Sequence, residues 1–149
     1  MKKIIGVSFI CILIDQIVKI IINTKMELAD SVNIINNFFR LTYVENIGAA
    51  WSIFSGNRIF LIVVTLIALI LIYMILIKNK KLNKLEIVCY GFLIGGILGN
   101  LVDRVRLGYV IDYLDFNIGN YNYPIFNLAD MFIVISSILI ILNLVKEGK

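Results

Sequence analysis

The chain has 149 residues, 60% of them apolar and 16% charged, with a mean hydropathy of +0.95, whereas soluble domains hold about 45–50% apolar and about 25% charged residues. That excludes an ordinary soluble globule, and 10 Gly, a single proline and almost no Ser/Gly-rich stretch exclude a disordered, collagen-like or repeat-array chain; one compact membrane domain is expected. Two cysteines and no histidine exclude a disulfide framework, any histidine-containing zinc site and every imidazole-activated nucleophile, leaving chemistry to Asp, Glu, Lys, Ser or Tyr.

Crossing a hydrocarbon core takes about 20 apolar residues. Runs of that kind lie at about 4–22, 59–77, 85–102 and 128–145, with long loops at 23–58 and 103–127. The first run follows Lys2 and Lys3 but is interrupted by Asp15 and Lys19, and no small-residue cleavage site follows, so it reads as a retained span rather than a signal peptide. Bulky Ile10 beside Cys11 argues against lipid attachment there, and Cys11 and Cys89 read as small apolar packing residues. In loop 23–58, the β-branched and aromatic stretch "FFRLTYVEN" predicts a short strand or two ending near Asn46. The following "GAAWSIFSG" is too brief to cross. It predicts a short interfacial helix with Trp51 and Phe54 on one face, bracketed by Gly48 and Gly56.

The run 59–77 is the cleanest, interrupted only by Thr65 and Tyr73, and reaches about 28 Å. The run 85–102 repeats glycine at Gly91, Gly95 and Gly99, with Gly96 and Asn100 one step round, a pattern for close helix packing. In loop 103–127, "YVIDYLDF" predicts a further extended piece and "NIGNYNYP" a turn. The last run opens on Asn127, suited to an N-cap, with Asp130 where the helix dipole favours an anion. The expected fold is a mainly α membrane protein: a four-transmembrane-helix bundle in a single domain over 1–149, with a small extracytoplasmic β platform and a short interfacial helix.

Lysines set the orientation. Lys2 and Lys3, then Lys78, Lys80, Lys81 and Lys84, then Lys146 and Lys149 belong on the cytoplasmic side with both termini, while the two long loops are near neutral and lie outside. The net charge of +4 is thereby a matter of topology and implies no nucleic-acid partner. On that orientation Asp15 and Lys19, then Asn100, Asp103 and Arg104, then Asn127 and Asp130 all fall at the outer level. An ionisable group at mid-bilayer costs ~2.5–3.5 kcal/mol and so marks pairing or function. Taken singly, Asp15 and Lys19 could neutralise each other one turn apart, Asp103 and Arg104 could anchor a helix end, and Asp112 and Asp115 could be solvated loop residues. Together they suit peptide hydrolysis by two carboxylates sharing one proton, the ionised one drawing a proton from water and the neutral one polarising the scissile carbonyl. Asp130 suits the more acidic partner, and a loop aspartate such as Asp112 the other.

The motifs "DQIVK" (Asp15, Gln16, Lys19), "NIGAAWS" (Asn46, Gly48), "GGILGNLVDR" (Asn100, Asp103, Arg104), "VIDYLDF" (Asp112) and "FNLAD" (Asn127, Asp130) resemble, in order and spacing, those of the lipoprotein signal peptidases, the bacterial membrane aspartic proteases also called signal peptidase II. The resemblance implies a catalytic pair at Asp112 and Asp130, with Asn46, Asn100, Arg104 and Asn127 lining the site and Asp15, Lys19, Asp103 and Gly48 in support. It implies no metal or other cofactor. The implied substrates are diacylglyceryl prolipoproteins, cut on the amino side of the lipidated cysteine by a protein of the bacterial cell membrane that meets membrane lipid, acts at the outer face and is expected to be a monomer. Trp51 and Tyr113 replace a usual Phe, and Met131 replaces a usual small hydroxyl residue. Rival classes are a small ion-coupled carrier using Asp15, Lys19 and Asp130, an assembly subunit built on the glycine stripe, and a Ser52 or Ser55 nucleophile with Lys19 as base.

Overall fold

The computed structural model describes residues 1–48, 54–78, 81–119 and 121–146. Four helices are long and apolar enough to cross a membrane: α1 (Lys2–Lys25), α2 (Arg58–Leu71, continued as a π-helical turn over Ile72–Ile77), α3 (Lys84–Arg106) and α4 (Leu128–Lys146). α1 and α3 run up to four residues beyond the apolar runs read from the sequence, whereas α2 with its π-helical turn and α4 each exceed theirs by one. α3 starts on a reciprocal cap that the sequence carries as "NKLE": Asn83 accepts from the Glu86 amide at 2.9 Å, and Glu86 accepts from the Asn83 amide at 2.7 Å.

The glycine stripe makes α3 the centre of the bundle. A Cβ on Gly91 would strike the Val7 side chain of α1, one on Gly95 would lie 2.7 Å from Cys11 Cβ and 2.9 Å from the Ser8 carbonyl, and one on Gly96 would strike the main-chain carbonyl of Ala129 in α4. Ser8 Oγ also donates to the Gly91 carbonyl at 3.0 Å. The approach buries Ile4, Cys89, Tyr90, Leu93 and Ile140 in one cluster with Ile77. Cys11 and Cys89 are both buried and unpaired. α2 stands apart, packing on α3 with Leu61 as the one buried side chain of its α-helical part.

The two long loops build a four-stranded antiparallel sheet in the order β1-β2-β3-β4: β1 (Ser31–Ile35), β2 (Phe39–Asn46), β3 (Val110–Ile118) and β4 (Tyr121–Asn122). β2 falls on the predicted strand. β1, whose five residues are all exposed, was not expected from the sequence: with no side buried, the segment has no alternation to read. Register places Val32, Leu41 and Leu114 in one cross-sheet row and Ile35, Phe39 and Phe116 in the next. Phe39 stacks on Phe116 with centroids 4.6 Å apart, and Phe116 on Phe126 at 5.8 Å. Near the bundle Tyr43, Ile111 and Tyr113 bury against Ile22 of α1, which seats the sheet on one end of the helices.

Residues 49–53, including Trp51, lie outside the described residues, and with them most of the expected interfacial helix. Phe54 has φ 59 and so is not helical; it packs against Phe60 at 4.9 Å. Helix packing here is limited by backbone contact, which gives a direct test. Gly96→Ala should lower stability by about 1–3 kcal/mol, whereas Gly6→Ala, with nothing within 4 Å of the added methyl, should be neutral or slightly stabilising. Thermal unfolding in detergent reads both.

Candidate active site

At the junction of bundle and sheet, a cavity of about 600 Å³ is lined by Asn46 of β2, Asn100 and Arg104 of α3, Asp112 and Phe116 of β3, and Asp130 and Met131 of α4. Apart from these polar groups the lining is mostly apolar, with Ile118, Pro124, Ile125, Ile133, Val134 and Ile135 forming an apolar trough.

Asp112 is buried on β3, not solvated in a loop, because β2 covers that strand and pairs Val44 with Asp112 across a bulge. Its Oδ2 accepts from Asn46 Nδ2 at 2.9 Å and its Oδ1 from Asn127 Nδ2 at 2.7 Å. Burial, with the Asp130 carboxylate as the second cause, pushes the Asp112 carboxyl up to about 7, against the pull of the two amides. Asp130 stands in the first turn of α4. The Asp130 amide donates to Asn127 Oδ1 at 3.0 Å and the Asn127 amide donates back to Asp130 Oδ2 at 3.2 Å, so the expected N-cap is present and is itself part of the site. The other oxygen of Asp130 accepts from Asn100 Nδ2 at 2.8 Å.

The supports lie one layer deeper. Lys19 Nζ reaches Asp15 Oδ2 at 2.9 Å, Asp103 Oδ2 at 2.8 Å and Asn100 Oδ1 at 2.9 Å, and all three charged side chains are buried. That uses every proton of the ammonium, so Lys19 is not placed to act as a base for Ser55, which is exposed. Asn100 Oδ1 also accepts from Asn127 Nδ2 at 3.1 Å; with its oxygen so occupied, the Asn100 amide nitrogen must face Asp130. Asp15 Oδ1 accepts from the Ala129 amide at 3.1 Å, and Gln16, which sequence reasoning left without a role, donates to Asp103 Oδ1 at 2.9 Å. Asp103 is thereby buried in a cluster and is no interfacial anchor. Arg104 Nη2 donates to the Gly48 carbonyl at 3.0 Å, and its Nε is buried without a hydrogen-bond partner among the described residues. Gly48 is held from its other side by its amide on Asn46 Oδ1 at 2.9 Å.

The ten predicted residues therefore converge, in two layers, on one cavity. Asp115 does not join them: it is buried on the opposite face of β3, where it accepts from Arg40 and from Thr42 at 2.7 Å. Tyr113, which the sequence marks only as standing in for a usual Phe, uses its hydroxyl: it accepts from the Leu128 amide at 3.3 Å and so helps hold the start of α4.

Residues 7–146 match the family described as Signal peptidase (SPase) II. The chain belongs to that family. It is 45% identical over 145 residues to a lipoprotein signal peptidase of Halothermothrix orenii, covering 96% of this chain and 95% of that one. With a lipoprotein signal peptidase of Staphylococcus aureus it shares 41% over 150 residues, covering 98% and 92%. A solved structure described as a bacterial membrane enzyme at 2.3 Å resolution superposes with a TM-score of 0.90 at 39% identity, covering 100% of this chain and 91% of that one. A second, at 1.9 Å resolution, superposes with a TM-score of 0.86 at 40% identity, covering 98% and 94%. Family and helices together fit a multi-pass bacterial membrane peptidase.

The raised Asp112 carboxyl ties stability to pH. Its folded value, about 7, lies above the ordinary 3.8, so between those limits the folded state keeps a proton that the unfolded chain has lost, and stability falls as pH rises through that window. Relative to Asp112→Asn, the wild type should lose thermal midpoint from about pH 4 to about pH 7 and then hold a constant difference; unfolding scans across that range check it.

Proposed function

We propose that the protein is an aspartic endopeptidase that removes signal peptides from diacylglyceryl-modified prolipoproteins, with Asp112 and Asp130 as the catalytic pair. The observation that carries this is the sharing of one largely apolar cavity by two carboxylates drawn from different elements, each oriented by amide donors. With the Asp112 carboxyl raised to about 7 by burial and by the Asp130 carboxylate beside it, the pair carries one proton below that pH.

Hydrolysis then follows the shared proton. Water sits between the pair; the ionised carboxylate takes its proton as the oxygen attacks the carbonyl carbon on the amino side of the lipidated cysteine. The neutral carboxyl donates a hydrogen bond to the carbonyl oxygen and stabilises the negative charge that develops there. Collapse of the tetrahedral intermediate breaks the C–N bond and passes a proton to the departing cysteine amine, returning the pair to one proton. Arg104, whose side chain lines the cavity, supplies a further donor to the substrate main chain. The apolar trough along α4 accommodates the hydrocarbon of the substrate while the scissile bond stays at the level of the carboxylates.

The enzyme works as a monomer in the cell membrane with both termini inside and the sheet outside, as the lysine distribution predicts.

Asp112→Asn and Asp130→Asn should each lower cleavage of a diacylglyceryl prolipoprotein by more than about 1,000-fold while leaving the protein folded, and Asp115→Asn should remain active. Cleavage should also decline as pH rises above about 7, where the pair loses its shared proton. Purified enzyme in detergent, assayed by gel shift of the substrate, reads both; near-normal turnover by either of the first two variants would remove the dyad. Arg104→Lys should lose most activity in the same assay, because a lysine lacks the rigid planar fork that holds Gly48 while presenting a second donor in a fixed direction.

A further inference from the structure

The end of α3 carries a contact that the proposed chemistry leaves unused. Arg58, first residue of α2 and exposed, donates from Nε to the main-chain carbonyl of Arg104 and from Nη2 to that of Val105, both at 2.7 Å. The last four carbonyls of a helix have no partner within it. α3 ends at Arg106, where the Leu107 amide closes on the Asp103 carbonyl at 2.7 Å. The guanidinium of Arg58 satisfies the next two carbonyls in one planar grip and brings a cation to the negative end of the α3 dipole. Gly108, at φ +94, lets the chain turn away directly beneath it, within 3.7–3.9 Å of Arg58 by the position a Cβ would take.

The gripped turn is the one whose side chain reaches the cavity. Arg104 lines the pocket with Asp112 and Asp130 and holds Gly48, and the Gly56 amide donates back to the Ile47 carbonyl at 3.2 Å. Both feet of the 47–56 segment therefore close on Arg104: Gly48 on its side chain, and Arg58, two residues past Gly56, on its carbonyl. α2 itself packs lightly, so little else holds its first turn to α3.

We propose that Arg58 is a positioning residue for catalysis, which clamps the last turn of α3 and thereby aims the Arg104 guanidinium at the reacting carboxylates; this rests on the site role given to Arg104 above. Without the clamp the turn frays, and Arg104 loses its fixed approach while the dyad and the buried lysine cluster stay in place. Displacements of about 1 Å in such groups cost up to about 100-fold in rate.

The test is a double-variant cycle on the full-length enzyme in detergent, measured on a diacylglyceryl prolipoprotein. Arg58→Met should lower kcat by about 10-fold with KM and thermal midpoint little changed. Arg58→Lys should recover part of the loss, since an ammonium reaches one of the two carbonyls. Joined to Arg104→Lys, Arg58→Met should cost nothing further, because both changes remove the same interaction. Hydrogen exchange should speed up in peptides covering 102–108 of Arg58→Met and nowhere in α1 or α4. Wild-type kcat in Arg58→Met, unchanged exchange in that turn, or losses that multiply in the double variant would each overturn the inference. Full activity in Arg104→Lys would instead show that Arg104 has no part in the site, and the clamp would fall with it.

Discussion

One ammonium group, that of Lys19, sets the inner geometry of this molecule. Burying a charge costs several kcal/mol unless it is fully partnered, and Lys19 is partnered by Asp15 on its own helix and by Asp103 and Asn100 on α3. Asp15 in turn receives the amide of Ala129 at the start of α4. A buried cation that must be satisfied on three sides thus fixes the relative rotation of α1, α3 and α4. Gly99 makes the approach possible: a Cβ there would lie 2.6 Å from Asp15 Oδ2. The same demand reaches the proposed dyad, since an Asn100 oxygen held by Lys19 leaves the Asn100 amide nitrogen only for Asp130.

The sheet supplies what the bundle cannot. Asp112 comes from a strand, and its burial follows from the pairing of β3 with β2 and from the packing of Tyr43, Ile111 and Tyr113 on α1. The strand's other face is closed by Asp115 with Arg40 and Thr42, so the register that points Asp112 into the cavity is the one that pairs Asp115. A slip of one residue would turn Asp112 away from the cavity, bring Ile111 or Tyr113 to its place and leave Arg40 without its partner. The two aspartates three residues apart on β3 therefore face different surroundings, Asp112 the cavity of the proposed chemistry and Asp115 the pairing with Arg40 and Thr42.

The four helices were legible in the sequence because length and apolarity are local properties, and the glycine stripe was legible because its period of four survives without knowledge of the partner helix. The site residues were legible as a constellation: intramembrane Asp15, Lys19, Asn100 and Asp130 stand out as costly unless paired. Burial of Asp112 and Asp115 was not legible, because it depends on strand pairing across more than sixty residues of chain. Strand β1 left no signal since neither of its faces is buried. Gln16, Arg58 and Tyr113 each act through a main-chain atom or a second polar residue on a distant element, and nothing in their local sequence announces such a partner. The cap reading of Asn127 and Asp130 is present in the structure, and the same cap orients the carboxylate on which the proposed function rests.

The coupling of the buried lysine to the proposed dyad is the claim on which the rest stands. Its most direct measurement compares Lys19→Met with the wild type for cleavage and thermal unfolding in the same detergent. Leaving Asp15 and Asp103 buried without their cation should cost about 3–5 kcal/mol of stability, and freeing Asn100 should abolish cleavage even at temperatures where the variant is still folded. A Lys19→Met protein that melts and cleaves like the wild type would contradict the account.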